Sequence, residues 1–311
     1  MKKLLSLGLV LALMAGALVT LASCGSKTDY TVGVCQFMVH DSLDQATKGF
    51  EDALVAELEK EGKTVTIDKQ VAGGESTLCT TVINTFVSKK VDLIMANATP
   101  ALLAAATATT KTGTPVLGTS VTDYANTFNG KIPANVSGTS DAVPFDEQAK
   151  MMIDTLGLKA GDKVGVLYCL NETNSLVQYE AVKALFESKD IVVEAYTFSE
   201  TTELQTVVTN AADNCKAIYV PSDNTVAQND TIVGSICDGK GIPVYTSYAS
   251  SICYASLAID YYELGYETGK MAAEILLGKK TPADIEIKTL TPTVDYNEEL
   301  CAKLGIQIPK N

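Results

Sequence analysis

The chain has 311 residues, 46% of them hydrophobic and 20% charged, which is globular material in an amount suited to about two domains. A formal net charge of −13 sets it against phosphate backbones and makes nucleic acid a poor partner. One histidine and no tryptophan leave almost nothing from which to build Ser-His-Asp catalysis or a multi-histidine metal site.

The first segment in chain order is not part of a fold. Lys2 and Lys3 precede an uncharged apolar run from Leu4 to Leu21, and small residues lead on to Cys24. That layout is a secretory signal over residues 1–23; the alternative is a spanning anchor, for which the run is at the lower length limit. Leu21-Ala22-Ser23-Cys24-Gly25 resembles a bacterial lipobox. The resemblance implies lipidation of Cys24 and attachment of the mature chain to the extracytoplasmic face of the cell membrane, with residues 24–30 as a tether. Seven cysteines remain (Cys35, Cys79, Cys169, Cys215, Cys237, Cys253 and Cys301), an odd number with no CxxC spacing. They read as buried small hydrophobes.

From Thr31 a strand runs to Phe37, and a helix follows from about Ser42. Leu43, Ala46, Phe50, Ala53, Leu54 and Leu58 recur in it at helical spacing, and Gly62 ends it. Thr64 to Ile67 is a second strand, Gly73-Gly74 a turn, and Ser76 caps a helix through Val87. Val91 to Ala96 is a buried strand, Pro100 marks the first turn of another helix, and Pro115 to Gly118 is the next strand.

The same order then repeats. Val164 to Tyr168 is a strand; Ser175 begins a helix carrying Leu176, Tyr179, Val182, Ala184 and Phe186; Ile191 to Val193 is a strand; and Thr202 opens a helix. Ala217 to Val220 is a strand that ends in Pro221-Ser222-Asp223-Asn224-Thr225 before another helix, and Pro243 to Tyr245 is the next strand. The offset between the copies runs from 126 residues (Leu78 and Leu204) to 132 (Val34 and Val166).

Alternating strands and helices imply parallel sheets covered on both faces, so the fold class is α/β with two Rossmann-like lobes. The expected division is 29–139 plus 261–285 for the first lobe and 140–260 plus 286–311 for the second, joined by several crossings. Ligands in such sheets sit beyond the carboxyl ends of the strands, which places a site in the strand-to-helix loops 36–44, 97–101, 119–124, 169–175, 221–226 and 246–252. These loops are rich in Ser, Thr, Asn and Asp. Such residues also cap helices, so each candidate carries a second, purely structural reading.

Several motifs carry a family resemblance. They are Val34-Cys35-Gln36-Phe37 with His40, Leu43-Asp44 and Gly49-Phe50; Val91-Asp92-Leu93-Ile94 running into Ala98-Thr99-Pro100-Ala101; Val121-Thr122-Asp123; and Gly138-Thr139-Ser140-Asp141. Glu172-Thr173-Asn174-Ser175, Val220 to Thr225, Leu264-Gly265 with Thr268-Gly269, and Leu304-Gly305-Ile306 continue the series over the mature chain. Together they resemble ABC-transporter substrate-binding lipoproteins of the tryptophan/tyrosine-transport type. The resemblance implies a type I periplasmic-binding-protein fold. Such a protein closes on an amino acid, aromatic by expectation, and delivers it to a membrane permease. No GxSxG, P-loop, GxGxxG or HExxH motif occurs, so neither catalysis, cofactor nor metal is expected, and the chain is expected to act as a monomer.

An amino-acid zwitterion needs donors for its carboxylate and an acidic group for its ammonium. Thr99, Ser120, Asn174 and Ser175 are the carboxylate candidates, and Asp141, Asp223 and Asn224 the ammonium candidates. Phe37 and His40 are candidate walls of the pocket, with Tyr248 and Tyr168 covering it from the other side. Gln36, Pro100, Asp123 and Glu172, which lie in the matched motifs, complete the set; Tyr261 and Tyr262 read as hinge or packing residues. A sugar- or nucleoside-binding lipoprotein of the same fold is the alternative, against which the absence of tryptophan counts.

Overall fold

The computed structural model describes residues 28–309, so the expected signal segment and Cys24 lie outside the described residues. The first copy of the pattern runs β1 (Tyr30–Gln36), α1 (Asp41–Lys60), β2 (Val65–Val71), α2 (Ser76–Lys89), β3 (Leu93–Asn97), α3 (Thr99–Thr109), β4 (Val116–Thr119), the single turn α4 (Tyr124–Thr127) and β5 (Val136–Ser140). The second runs α5 (Phe145–Leu156), β6 (Lys163–Cys169), α6 (Thr173–Glu187), β7 (Val192–Phe198), α7 (Thr201–Asn214), β8 (Ala217–Val220), α8 (Asn224–Gln228), α9 (Asp230–Lys240), β9 (Val244–Thr246) and β10 (Ala255–Ala258). The chain ends with α10 (Tyr261–Leu276), β11 (Lys288–Thr289), β12 (Thr293–Tyr296) and α11 (Glu298–Leu304).

The duplication is visible in the strand orders. One six-stranded sheet runs β11-β5-β4-β3-β1-β2 and the other β12-β10-β9-β8-β6-β7, the same path traced twice. Neighbouring strands are parallel except for β10 and β12, which pair antiparallel. The central strands are continuous apolar runs because each sheet is covered on both faces. In β1, Val32 and Val34 point into a core shared with Phe50, Leu54, Leu58 and Met271, whereas Cys35 points into the opposite core with Ile83 and Phe86.

Helix α10 follows the second sheet in sequence and packs on the first lobe against α1. Glycine permits that close crossing. A Cβ on Gly265 would lie 1.8 Å from the Ala46 carbonyl oxygen, and one on Gly49 would lie 2.0 Å from that of Tyr262. Between its two sheets the chain crosses at residues 141–144, 259–260 and 290–292. The last crossing corrects the expected division at residue 286. Lys288 and Thr289 pair in parallel with Thr139 and Ser140, so the first lobe keeps the chain up to Thr289. An exposed two-residue strand has no periodicity by which a sequence can announce it. All seven described cysteines are buried and unpaired.

Candidate functional site

The carboxyl ends of the two sheets face each other, and the loops that leave them meet. His40, the N-cap of α1, approaches the second lobe, where its Nε2 lies 3.2 Å from Oδ1 of Asn224. The Asn224 amide donates through Nδ2 to Glu172 at 2.6 Å, which orients Oδ1 as the acceptor and makes His40 Nε2 the donor. Gln228 Nε2 donates to the Val39 carbonyl at 3.3 Å, a second bond across the gap. The lobes are therefore closed on one another.

Between them lies a narrow gap, about 300 Å³ of empty space counting its opening to solvent, tighter than the usual small-molecule site. The first lobe contributes His40, Ser42, Leu43, Ser120, Thr122 and Asp141, and α10 contributes Tyr261. The second lobe contributes Asn174, Ser222, Asp223, Asn224, Ala227 and Tyr248. Four buried side-chain atoms of the described residues lack a hydrogen-bond partner, and three of them belong to this wall: Ser120 Oγ, Asp141 Oδ1 and Asn174 Oδ1. Buried polar groups are almost always paired, so three orphans converging on one cavity make it the candidate site. Ser120 also holds φ at 54°, a left-handed backbone unusual for serine and of the kind that persists at functional sites.

The charged groups differ in how fully they are used. Asp141 accepts from the Tyr261 hydroxyl at 3.0 Å through Oδ2, while burial pushes its carboxyl above the ordinary carboxylate range. Asp223 has no acceptor to spare. Its Oδ1 takes the Val226 N–H as the N-cap of α8, and its Oδ2 takes the Cys169 N–H and the Ser175 hydroxyl. Burial, with Glu172 close by, raises its pKa well above the usual value. Glu172 binds the backbone N–H groups of Asn224 and Thr225 as well as their side chains. Burial lowers the His40 pKa, so the imidazole is held neutral.

Seven of the expected site residues thus meet at the cavity: His40, Ser120, Asp141, Asn174, Asp223, Asn224 and Tyr248. The other seven do not line it. Gln36 is spent inside the first lobe on Asp44, Met38 and Thr47, and Phe37 is buried in the core beside β1. Thr99 is buried in the first turn of α3, and Pro100 faces a separate groove. Asp123 caps α4 through the Asn126 N–H. Glu172 and Ser175 stand behind the wall, bracing Asn224 and Asp223. Of the other tyrosines, Tyr168 stacks on Tyr179 and Tyr262 bonds Asp52.

Sequence reasoning missed six lining residues. Ser42, Thr122 and Ser222 were within its reach, because Thr122 and Ser222 lie in loops that follow strand ends and Ser42 in the first turn of the helix after β1. Tyr261, read as hinge or packing, follows a crossing and reaches the site only because α10 packs back on the first lobe. Leu43 was read as part of the packing stripe of its helix, and Ala227 carried no signal.

Past His40, Ser42, Ala227 and Tyr248 the cavity opens into a vestibule of about 1500 Å³, including the solvent at its mouth. Its wall holds Asp41, Asp44, Asp230 and Asp295. Asp230 accepts from the hydroxyls of Tyr248 at 2.8 Å and Ser250 at 2.5 Å. The chain contains no arginine, and no lysine is among the described residues lining either space.

A twinned α/β frame closed around orphaned polar atoms is the design of a ligand receptor, and comparison with known proteins agrees. The family model for ABC transporter substrate binding proteins matches residues 31–311. The chain belongs to that family. It is 33% identical over 290 residues to a tyrosine-binding protein of Clostridioides difficile, a match covering 91% of this chain and 83% of that one. Its fold is that of the type I periplasmic-binding proteins. A Streptococcus pneumoniae structure in complex with L-Trp, 33% identical, superposes with a TM-score of 0.79 over 89% of this chain and 96% of the other. The ligand-free, open structure of a Clostridium difficile substrate-binding protein with adhesive properties is 31% identical, with a TM-score of 0.65 over 91% and 97%. Family membership supplies the general role, a substrate-binding subunit that serves an ABC transporter.

Proposed function

We propose that this family member captures one amino acid with an aromatic side chain, tyrosine, tryptophan or phenylalanine, on the extracytoplasmic face and presents it to its permease. The observation that carries the reading is the convergence of Ser120 Oγ, Asp141 Oδ1 and Asn174 Oδ1 on one cavity between the lobes. The ligand ammonium bonds Asp141 Oδ1 from the first-lobe side and Asn174 Oδ1 from the second. The carboxylate lies at the N-terminus of α1. No side chain caps that helix, and its first intrahelical bond runs from the Asp44 N–H to the His40 carbonyl, so the N–H groups of residues 41–43 remain for an acceptor. The Ser120 hydroxyl is its second donor. The 33% identity to a tyrosine-binding protein and to a protein solved with L-Trp supports the aromatic assignment. Solved relatives with myo-inositol and 5-methylthioribose are 13% and 15% identical and share the fold alone.

Calorimetric titration of the protein with the twenty amino acids tests the reading. Binding is expected for the aromatic members, and saturation at about 100 times the dissociation constant adds about 2.7 kcal/mol to stability. Binding confined to small aliphatic amino acids, or to sugars, overturns it. Lipidation of Cys24 belongs to the same proposal, and a Cys24→Ala chain is expected to leave the membrane fraction for the soluble one.

A further inference from the structure

The polar groups left unmet in the cavity are unequal in kind. Asp141 Oδ1 and Asn174 Oδ1 can only accept, and Ser120 Oγ can accept or donate. The Asn174 amide cannot simply be reversed, because its Nδ2 donates to the Ser222 carbonyl at 2.7 Å and to Glu172 at 3.3 Å. Asp141 and Asn174 are each more than nine-tenths buried. The cavity therefore calls for a donor-rich, cationic group. Nothing in the wall answers a carboxylate with a full positive charge: the chain has no arginine, no lysine lines the cavity, and burial keeps His40 neutral. Approach to the site is also one-signed, past Asp41, Asp44, Asp230 and Asp295. Such a vestibule concentrates cations and repels anions.

We propose that the cleft selects its ligand through the ammonium group, so that aromatic amines and amino-acid amides lacking a carboxylate are ligands of this protein while N-acylated amino acids are not. The inference rests on the amino-acid reading above and deepens it. The ammonium bridges Asp141 and Asn174, the two lobes' unpartnered acceptors, and so it is the group that rewards closure. The carboxylate meets only hydroxyl and backbone N–H donors, each worth less than an ion pair in a site closed to water.

Competition against bound tyrosine with tyramine, tyrosinamide, N-acetyltyrosine and 3-(4-hydroxyphenyl)propionate tests the proposal. Tyramine and tyrosinamide are expected to bind within roughly 10-fold of tyrosine, and the two compounds without an ammonium to bind roughly 100-fold more weakly or worse, as loss of a charge-assisted bond implies. The reverse ranking, or equal affinity for both pairs, overturns the proposal while leaving the amino-acid reading intact. If tyrosine, tryptophan and phenylalanine all fail to bind, the amino-acid reading falls as well. A second arm uses the vestibule. Asp41→Asn combined with Asp295→Asn is expected to weaken tyramine a few-fold more than tyrosine at low salt, a difference that disappears at high salt. An equal effect on both ligands counts against electrostatic selection.

Discussion

The two rims of the cleft are built on the same strand order, yet they treat their acids in opposite ways. In the second lobe, Glu172 and Asp223 spend every oxygen on backbone N–H groups, an amide and hydroxyls, locking the starts of α6 and α8 together. In the first, Asp141 sits where the chain leaves β5 for the second lobe, and one of its oxygens faces the cavity without a partner. A satisfied network gives rigidity, and an unsatisfied group stores a demand that a ligand meets. Two buried carboxylates of similar exposure thus differ in kind, one a structural brace and the other left with an unpartnered oxygen at the cavity, and only their hydrogen bonds separate them.

The most disruptive test of that contrast is Asp223→Ala. It strands the N–H groups of Cys169 and Val226, and a loss of about 3 kcal/mol is expected in denaturant melts without ligand. A stable Asp223→Ala protein with abolished ligand affinity would break the distinction. Asp141→Asn is the counterpart. It keeps an acceptor for Tyr261 and removes a buried charge, so melting without ligand should hold or rise while affinity for an aromatic amino acid falls roughly 100-fold. Asn174→Ala, measured in the same titration, removes a neutral acceptor and is expected to cost roughly 10-fold.

The smallest effect concerns pH. His40 belongs to the first rim but bonds the second, and its pKa in the closed form lies below the ordinary 6.5 that an opened, solvated imidazole would approach. The open form then binds more protons over that interval, so closure gains from rising pH. Affinity should weaken as pH falls below about 6.5 and level off once the closed-form pKa is passed. His40→Gln keeps a donor for Asn224 and should flatten this part of the profile. Asp141, whose carboxyl is raised by burial, must be ionised to meet an ammonium, so its own titration also weakens affinity as pH falls and persists in that variant.

Much of the fold was legible because burial imposes periods on sequence. The stripe of Leu43, Phe50, Leu54 and Leu58 is the buried face of α1, and the continuous run in β3 reflects a strand covered on both sides. Strand β11 was not legible, since two exposed residues that pair at a sheet edge leave no pattern. In the site, loop position was informative and side-chain role was not. Asp123, Asp141 and Asp223 all follow strands in polar loops; one caps α4, one faces the cavity and one caps α8.

From sequence alone came the signal-like N-terminus, the twinned α/β layout, the loops that border the cleft and the likeness to substrate-binding lipoproteins, all of them properties of neighbouring residues or of a repeated order. Only the tertiary structure decided which polar atoms go unpaired, that α10 returns to bring Tyr261 to Asp141, and that acids from both lobes line a single approach. Those depend on groups from distant parts of the chain competing for the same partners. Whether an acid is a cap or a ligand contact is settled by whichever donor reaches it first.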